Sequence, residues 1–396
     1  MTLSKVKIDQ NFIINTVLIS ILLLGVYLCF IGGYGSDEDT LPMIYVFEAK
    51  ISDGRFVSSR FTGNPVAELG IGFLAYFFGS WAANLFTYFF LLLGVIFFYL
   101  TLTEKKNLKD INIFLLLCLT NPILFFDNLE PIDYSWALIF FSIGLYFLNK
   151  KLFEISVICF AFSIGVRINY VLFVLVSIMF FDFKFAISNF RRVSLFISSF
   201  IIGGLFYIPI WFDNKFDLKW LTAARPTEQG ILGILTRFFY KSYVAVGFIS
   251  FFILVYYFFK HHKKITKITK IKNFKFLIIL GLSNLLIFLW IPAEYSYLQL
   301  FLVILNFIIF NMNNKKLIYI ICVANLLSWV FFISPIKVDH QKKERCAPKN
   351  ALSAKIEFTV EQGFYFKYLS SRDKIKCWVH GNSERSLKIL QGKALK

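Results

Sequence analysis

Long apolar runs separated by short polar gaps fill most of the chain as far as residue 334. Some runs are long enough to cross a bilayer core of about 30 Å as a helix, and others are nearer to about 15 residues. They lie at residues 12–32, 81–102, 111–126, 134–149, 152–166, 169–182, 193–211, 242–259, 274–291, 296–311 and 317–334. The pattern predicts an all-α polytopic membrane protein with about 11 transmembrane helices.

A further apolar stretch, residues 66–78, differs from the others because it follows Asn64-Pro65 and carries Glu68. These features favour a helix that lies at the membrane interface, with a twelfth span as the alternative. We therefore predict a transmembrane domain over residues 1–334, whose first outer loop, residues 33–80, contains interfacial helices. Residues 335–396 are predicted to form a small C-terminal tail domain.

Composition supports this class and gives an orientation. Hydrophobic residues make up 58% of the chain and charged residues 17%, against about 45–50% and about 25% in soluble domains, which excludes a soluble enzyme. The net charge of +18 comes largely from short gaps between apolar runs, so it indicates topology and not a nucleic-acid partner. The predicted inner loops carry about twice as many basic residues as the outer loops, which places the N-terminus in the cytoplasm.

An odd number of spans places the tail on the extracytoplasmic side, in a multi-pass protein of the cytoplasmic (inner) membrane. Cys346 and Cys377 both lie in this tail. In an oxidising compartment they are candidates for a disulfide, with two free thiols as the alternative.

The first outer loop contains three consecutive acids, Asp37, Glu38 and Asp39. At a membrane edge a carboxylate can act as a general base toward a hydroxyl group, or hold a divalent cation against a phosphate. Asp37 and Asp39 are the candidate ligands for such a cation, Mg²⁺ or Mn²⁺, and no other cofactor is implied. The alternative is that these acids only mark the outer surface.

Further candidate residues lie in the outer segments that follow. Arginine and lysine there match the charge of a lipid phosphate, and a lone carboxylate at the end of a span is a candidate for function. Snorkelling to headgroups and an interfacial aromatic belt are the alternatives. Asp133 is expected to start a helix. The candidate substrate- and phosphate-binding residues are Arg60, Arg167, Arg225, Lys241, Glu294 and Tyr297.

The order of these motifs resembles the GT-C superfamily of integral membrane glycosyltransferases, which includes protein O-mannosyltransferase-like enzymes and aminoarabinose transferases. Ser36-Asp37-Glu38-Asp39 is similar to the acidic motif of the first outer loop, and Ser59-Arg60 with Glu68 to the segment that enters its interfacial helix. Residues 133–138 and 165–167 are similar to later outer-edge positions. Residues 292–298 resemble an acidic-aromatic motif, with Ser296 where the family frequently has a basic residue.

The resemblance implies an enzyme that transfers a hexosyl or pentosyl group from a polyprenyl-phosphate carrier to a glycan, lipid or protein acceptor at the outer face of the membrane. Asp37 would be the general base, and Glu38 or Asp39 would orient the acceptor or bind the metal. Two other functions stay open: a polymerase of O-antigen or exopolysaccharide, and a flippase or transporter of lipid-linked sugars. A transporter would favour charges along a midplane path and paired broken helices.

Overall fold

The computed structural model describes residues 10–35, 40–54, 58–59, 63–103, 107–183, 185–213, 230–260, 273–291, 294–340, 351–371 and 384–396. Helices dominate these ranges, as the apolar runs predict. In chain order they are α1 (Gln10–Ile31), α2 (Thr40–Asp53), α3 (Pro65–Phe78), α4 (Ser80–Leu102), α5 (Leu108–Thr120), α6 (Pro122–Phe126), α7 (Tyr134–Leu148), α8 (Phe153–Val166), α9 (Tyr170–Phe180), α10 (Asn189–Leu205), α11 (Ile208–Asp213), α12 (Gly230–Val246), α13 (Phe248–Lys260), α14 (Phe274–Trp290), α15 (Gln299–Asn311), α16 (Lys315–Val330), α17 (Phe364–Ser371) and α18 (Glu384–Leu390). Short 3-10 helices follow α6 (Asp127–Leu129) and precede α15 (Tyr295–Leu298).

Two of the described helices are by themselves long and apolar enough to cross a membrane, at Asn11–Ile31 and Ser80–Leu102. The number rises to 4 if each of two sharply bent helix pairs is counted as one span. The remaining apolar helices are shorter, including α3 and α7 to α9. The helical membrane class is therefore confirmed, whereas the larger predicted number of spans goes beyond what helix length supports.

The first bent pair corrects the prediction of one continuous helix over residues 111–126. The chain turns by 89° between α5 and α6. Asn121 lies at the turn in an extended conformation, and Pro122 follows it. Proline has no amide hydrogen and forces the preceding residue out of the helical region, so the helix ends here. The Asn121 side chain accepts hydrogen bonds from the amides of Ile123 and Leu124 and starts the new helix.

The second bent pair consists of α12 and α13, which meet at 91°. Gly247 separates them and has a φ of +88°, a conformation that residues with a Cβ rarely adopt. The two bends are in contact, because Asn121 Nδ2 donates a hydrogen bond of 2.9 Å to the carbonyl oxygen of Ala245. Two broken helices are thereby joined at their breaks.

The chain after α16 is not purely helical, in contrast to the all-α prediction. Strands β1 (Phe331–His340) and β2 (Ala351–Gln362) pair antiparallel, with Phe331 opposite Gln362 and Lys337 opposite Lys355. The sheet thus starts slightly before the predicted tail boundary at residue 335. Cys346 and Cys377 lie outside the described residues, and their pairing stays a prediction.

The last described segment packs onto the first predicted outer loop. The side chain of Ile389 is 1% exposed and lies against Tyr34, Leu41 and Ile44. The Tyr34 hydroxyl donates to the carbonyl oxygen of Lys393 at 2.9 Å. The C-terminal segment therefore lies at the end of the bundle where α1 ends and α2 begins.

This packing predicts different effects for two neighbouring residues of α18. Ile389→Ala should weaken docking of the segment by about 2–4 kcal/mol, because it opens a cavity in a buried cluster. Leu387, which is 46% exposed, is the control, and Leu387→Ala should change docking by less than about 0.5 kcal/mol. Limited proteolysis of the intact protein, followed by mass spectrometry of the C-terminal fragment, measures the difference. Equal cleavage of both variants would contradict the docking.

Candidate functional site

Polar side chains gather at one end of the bundle, where α7 begins and α8 ends. These two helices are consecutive and joined by a short turn at residues 149–152. Consecutive helices joined by a short turn run antiparallel, so the first residue of one lies beside the last residue of the other. Asp133, just before α7, and Arg167, just after α8, are brought together in this way.

A buried ion pair forms the centre of this cluster. Arg167 Nη1 lies 2.8 Å from both carboxylate oxygens of Asp133. The side chain of Arg167 is 7% exposed and that of Asp133 is fully buried. Asp133 lies at the N-terminal end of α7, as expected from the sequence, but its side chain makes no helix-capping hydrogen bond. Its carboxylate binds the arginine instead.

Two tyrosines lie against the guanidinium group. Its carbon lies 3.9 Å from the ring centre of Tyr134 and 4.7 Å from that of Tyr297, within the range of cation–π attraction. The two rings meet edge to face, with their centres 5.5 Å apart. Burial alone would lower the pKa of Arg167, but Asp133, the two tyrosines and Glu294 raise it well above its ordinary value. Arg167 therefore stays charged.

Glu294 joins the cluster through Tyr134, whose hydroxyl donates to Glu294 Oε2 at 2.6 Å. The next residues are also fixed, because Ser296 Oγ donates to Asp127 Oδ2 at 2.6 Å. Asp127 lies in the short segment before Asp133. The segment that contains Glu294 and Tyr297 is thereby held against the start of α7 from two sides.

Basic residues approach from α12. Lys241 Nζ lies 5.2 Å from the ring centre of Tyr295 and is close enough to Glu294 and Arg237 to interact with both charges. Arg237 precedes Lys241 by one helical turn. The cluster therefore contains a carboxylate, a phenol and cationic side chains from four separate elements.

A second buried carboxylate lies nearby on α3. Glu68 is fully buried, and its Oε1 accepts hydrogen bonds from the backbone amide of Ser59, at 2.9 Å, and from the Ser59 hydroxyl. Its Oε2 has no hydrogen-bond partner in the described part of the chain. The charge of Glu68 also interacts with that of Asp133, which connects α3 electrostatically to the cluster.

Four sequence-predicted site residues thus come together: Arg167, Lys241, Glu294 and Tyr297. The other candidates lie outside the described residues: Asp37, Glu38, Asp39, Arg60 and Arg225. Within the described ranges no group of three His, Cys, Asp or Glu side chains is arranged to hold a metal ion. A divalent cation at Asp37 and Asp39 therefore stays a prediction.

Sequence reasoning did not single out Tyr134 or Asp127 as site residues, and for Asp133 it favoured a structural role over a catalytic one. A signal was present for Asp133, because Asp127-Asn128-Leu129-Glu130-Pro131-Ile132-Asp133 carries three acids and no basic residue. Acids so placed next to apolar helices need a cation from elsewhere in the fold. Tyr134 had no comparable signal, since tyrosine is common at membrane interfaces.

No protein-family model, curated protein or solved structure matches this chain.

The buried ion pair predicts a strong dependence of stability on both partners. Arg167→Met or Asp133→Leu alone should lower the free energy of unfolding by about 3–5 kcal/mol, because each leaves an unpaired buried charge. The double variant should lose much less than the sum. Chemical unfolding of the protein in detergent measures all three.

The exposed pair Lys367–Glu361 has the same 2.8 Å separation and serves as the matched control. Its single variants Lys367→Met and Glu361→Leu should cost less than about 1 kcal/mol. Additive losses at Arg167 and Asp133 would contradict the pairing.

Proposed function

We propose that the protein is a membrane glycosyltransferase that moves a sugar from a polyprenyl-phosphate carrier to an acceptor hydroxyl at the outer face of the cytoplasmic membrane. The observation that carries this proposal is the cluster around Glu294, in which a carboxylate, a tyrosine and the cation Lys241 meet. Sugar transfer needs a base for the acceptor and cationic stabilisation for the phosphate that leaves.

Arg167 has a supporting role in this proposal. The positive charge of Arg167 is already balanced by the carboxylate of Asp133, which it contacts through both oxygens. Arg167 is therefore a weak ligand for a phosphate. We assign to it the task of holding Tyr134 and Tyr297 beside Glu294. Arg167 is then a positioning residue.

We assign phosphate binding to Lys241 and Arg237 instead. Arg237 is half-buried and forms no hydrogen bond or ion pair in the part of the chain that is described. Like charges four residues apart on a helix repel each other, and an anion between them removes this penalty. The pair therefore suits the phosphate of a lipid carrier.

The first outer loop supplies further candidates by resemblance: Asp37 as general base, and Glu38 or Asp39 as an orienting or metal-binding acid. Gly35, two residues before the acidic run, supports a place near the cluster. A Cβ built on Gly35 would lie 2.5 Å from the carboxyl carbon of Glu130, so this end of the loop packs on the segment that leads to Asp133. About 11 spans with interfacial helices at α2 and α3 complete the proposed architecture.

A transporter of lipid-linked sugars is the second candidate, and the paired helix bends favour it. Discontinuous helices that meet at their breaks are typical of secondary transporters. The described residues that line the cavity at these bends carry no charge, whereas the Glu294 cluster does. The enzyme is therefore the stronger proposal.

Transfer of a labelled sugar from polyprenyl-phosphate donors to membrane acceptors by the purified protein tests the activity. Glu294→Gln should reduce kcat/KM by about 100-fold or more if Glu294 assists proton transfer. The exposed Glu154 is the control, and Glu154→Gln should stay within about twofold of the native rate.

Asp37→Asn tests the general base separately and should abolish transfer while membrane insertion is unchanged. Movement of a sugar lipid across liposomes without covalent change would support the transporter instead. Long-chain products would indicate a polymerase.

Substitution of the basic pair should act on donor binding. Arg237→Gln and Lys241→Gln each remove a charge-assisted contact worth about 1.5–3 kcal/mol, so KM for the lipid donor should rise about tenfold or more. Lys367→Gln, at an exposed position in the tail, is the control. Unchanged KM in both Arg237 and Lys241 variants would remove the pair from the phosphate site.

A further inference from the structure

A small polar cavity lies where the two helix bends meet, separate from the Glu294 cluster. It has a volume of about 10 Å³, close to the roughly 10–15 Å³ that one water molecule needs. Its walls are otherwise aliphatic, and its polar lining comes from several elements of the fold. The polar lining residues are Asn121, Ser250, Asn306 and Asn325.

In two of these side chains each polar atom already has a hydrogen-bond partner. Asn121 accepts two hydrogen bonds with its oxygen and donates one to Ala245. Ser250 Oγ donates to Asn325 Oδ1 at 2.6 Å. Neither residue therefore calls for a ligand.

The other two side chains are incompletely bonded. Asn306 on α15 donates through Nδ2 to Cys118 Sγ at 3.7 Å, and its Oδ1 accepts no hydrogen bond from a described residue. Asn325 on α16 uses its Oδ1 for Ser250, and its Nδ2 donates none within the described ranges. Asn306 is 4% exposed and Asn325 is 1% exposed. A buried amide group without a partner destabilises the folded state.

We propose that the cavity binds one water molecule, which donates to Asn306 Oδ1 and accepts from Asn325 Nδ2. The pairing of a vacant acceptor with a vacant donor selects water, because a metal cation can accept no hydrogen bond. The uncharged lining agrees with a neutral ligand. The water connects α15 to α16 beside the bend at Gly247, and it satisfies polar groups where lipid supplies none. This inference does not depend on the proposed transferase activity.

A double-variant cycle on the full-length protein in detergent tests the bridge. Asn306→Leu and Asn325→Leu should each lower the melting temperature by several degrees, because each leaves the opposite amide without a partner. The double variant should show a smaller decrease in melting temperature than the sum of the two single decreases. Replacing both polar partners by apolar groups leaves neither amide without a partner. Additive losses would overturn the bridge.

Asn284 provides a matched control, because both ends of its amide are bonded, to the backbone of Tyr297 and Phe301. When Asn284→Leu is combined with Asn306→Leu, the decrease in melting temperature should equal the sum of the two single decreases. A high-resolution density map should show a peak between the amides of Asn306 and Asn325. A direct bond between the two amides, or a rise in melting temperature with Na⁺ that both single variants abolish, would replace the water proposal.

Discussion

The polar end of the bundle depends on the buried ion pair between Arg167 and Asp133. Removing two charges from water costs several kcal/mol per ion, and good geometry is needed to recover it. Here the carboxylate binds the guanidinium through both oxygens, and Tyr134 and Tyr297 pack against it. The pair joins the start of α7 to the end of α8. Tyr134 extends the network to Glu294, which lies 160 residues away in the sequence.

Short and broken helices set the second constraint. Most apolar helices after α4 have fewer residues than a bilayer core requires by itself, and two pairs turn through nearly a right angle. Each break leaves backbone and amide groups that lipid cannot satisfy. The two breaks satisfy some of these groups in each other. Asn121 caps one helix and donates a hydrogen bond to the carbonyl group of Ala245 at the end of another. The proposed water satisfies further amide groups beside the same bends, on α15 and α16.

The C-terminal segment packs against the first outer loop. Tyr34 and Leu41 flank the acidic run, and both belong to the same buried cluster as Ile389. Tyr368 adds another contact, with its hydroxyl 3.3 Å from the carbonyl oxygen of Leu28. A tail that looks like a separate domain in the sequence is therefore part of the same end of the molecule as the candidate site. This contact is relevant to the proposed function, because the C-terminal segment holds both flanks of the loop to which that proposal assigns the general base.

The sequence by itself determined the class of this protein and the positions of most helices. Apolar runs fold as helices in lipid because backbone polar groups must bond within the segment, so the runs at 81–102, 134–149 and 274–291 match α4, α7 and α14 closely. The sequence also identified Arg167 and Glu294 as unusual, since charges beside apolar runs need partners. Partner choice was decided by tertiary structure alone. Asp133 lies 34 residues from Arg167, and no local pattern encodes which of the many acids will meet a given arginine, because that depends on how α7 and α8 pack.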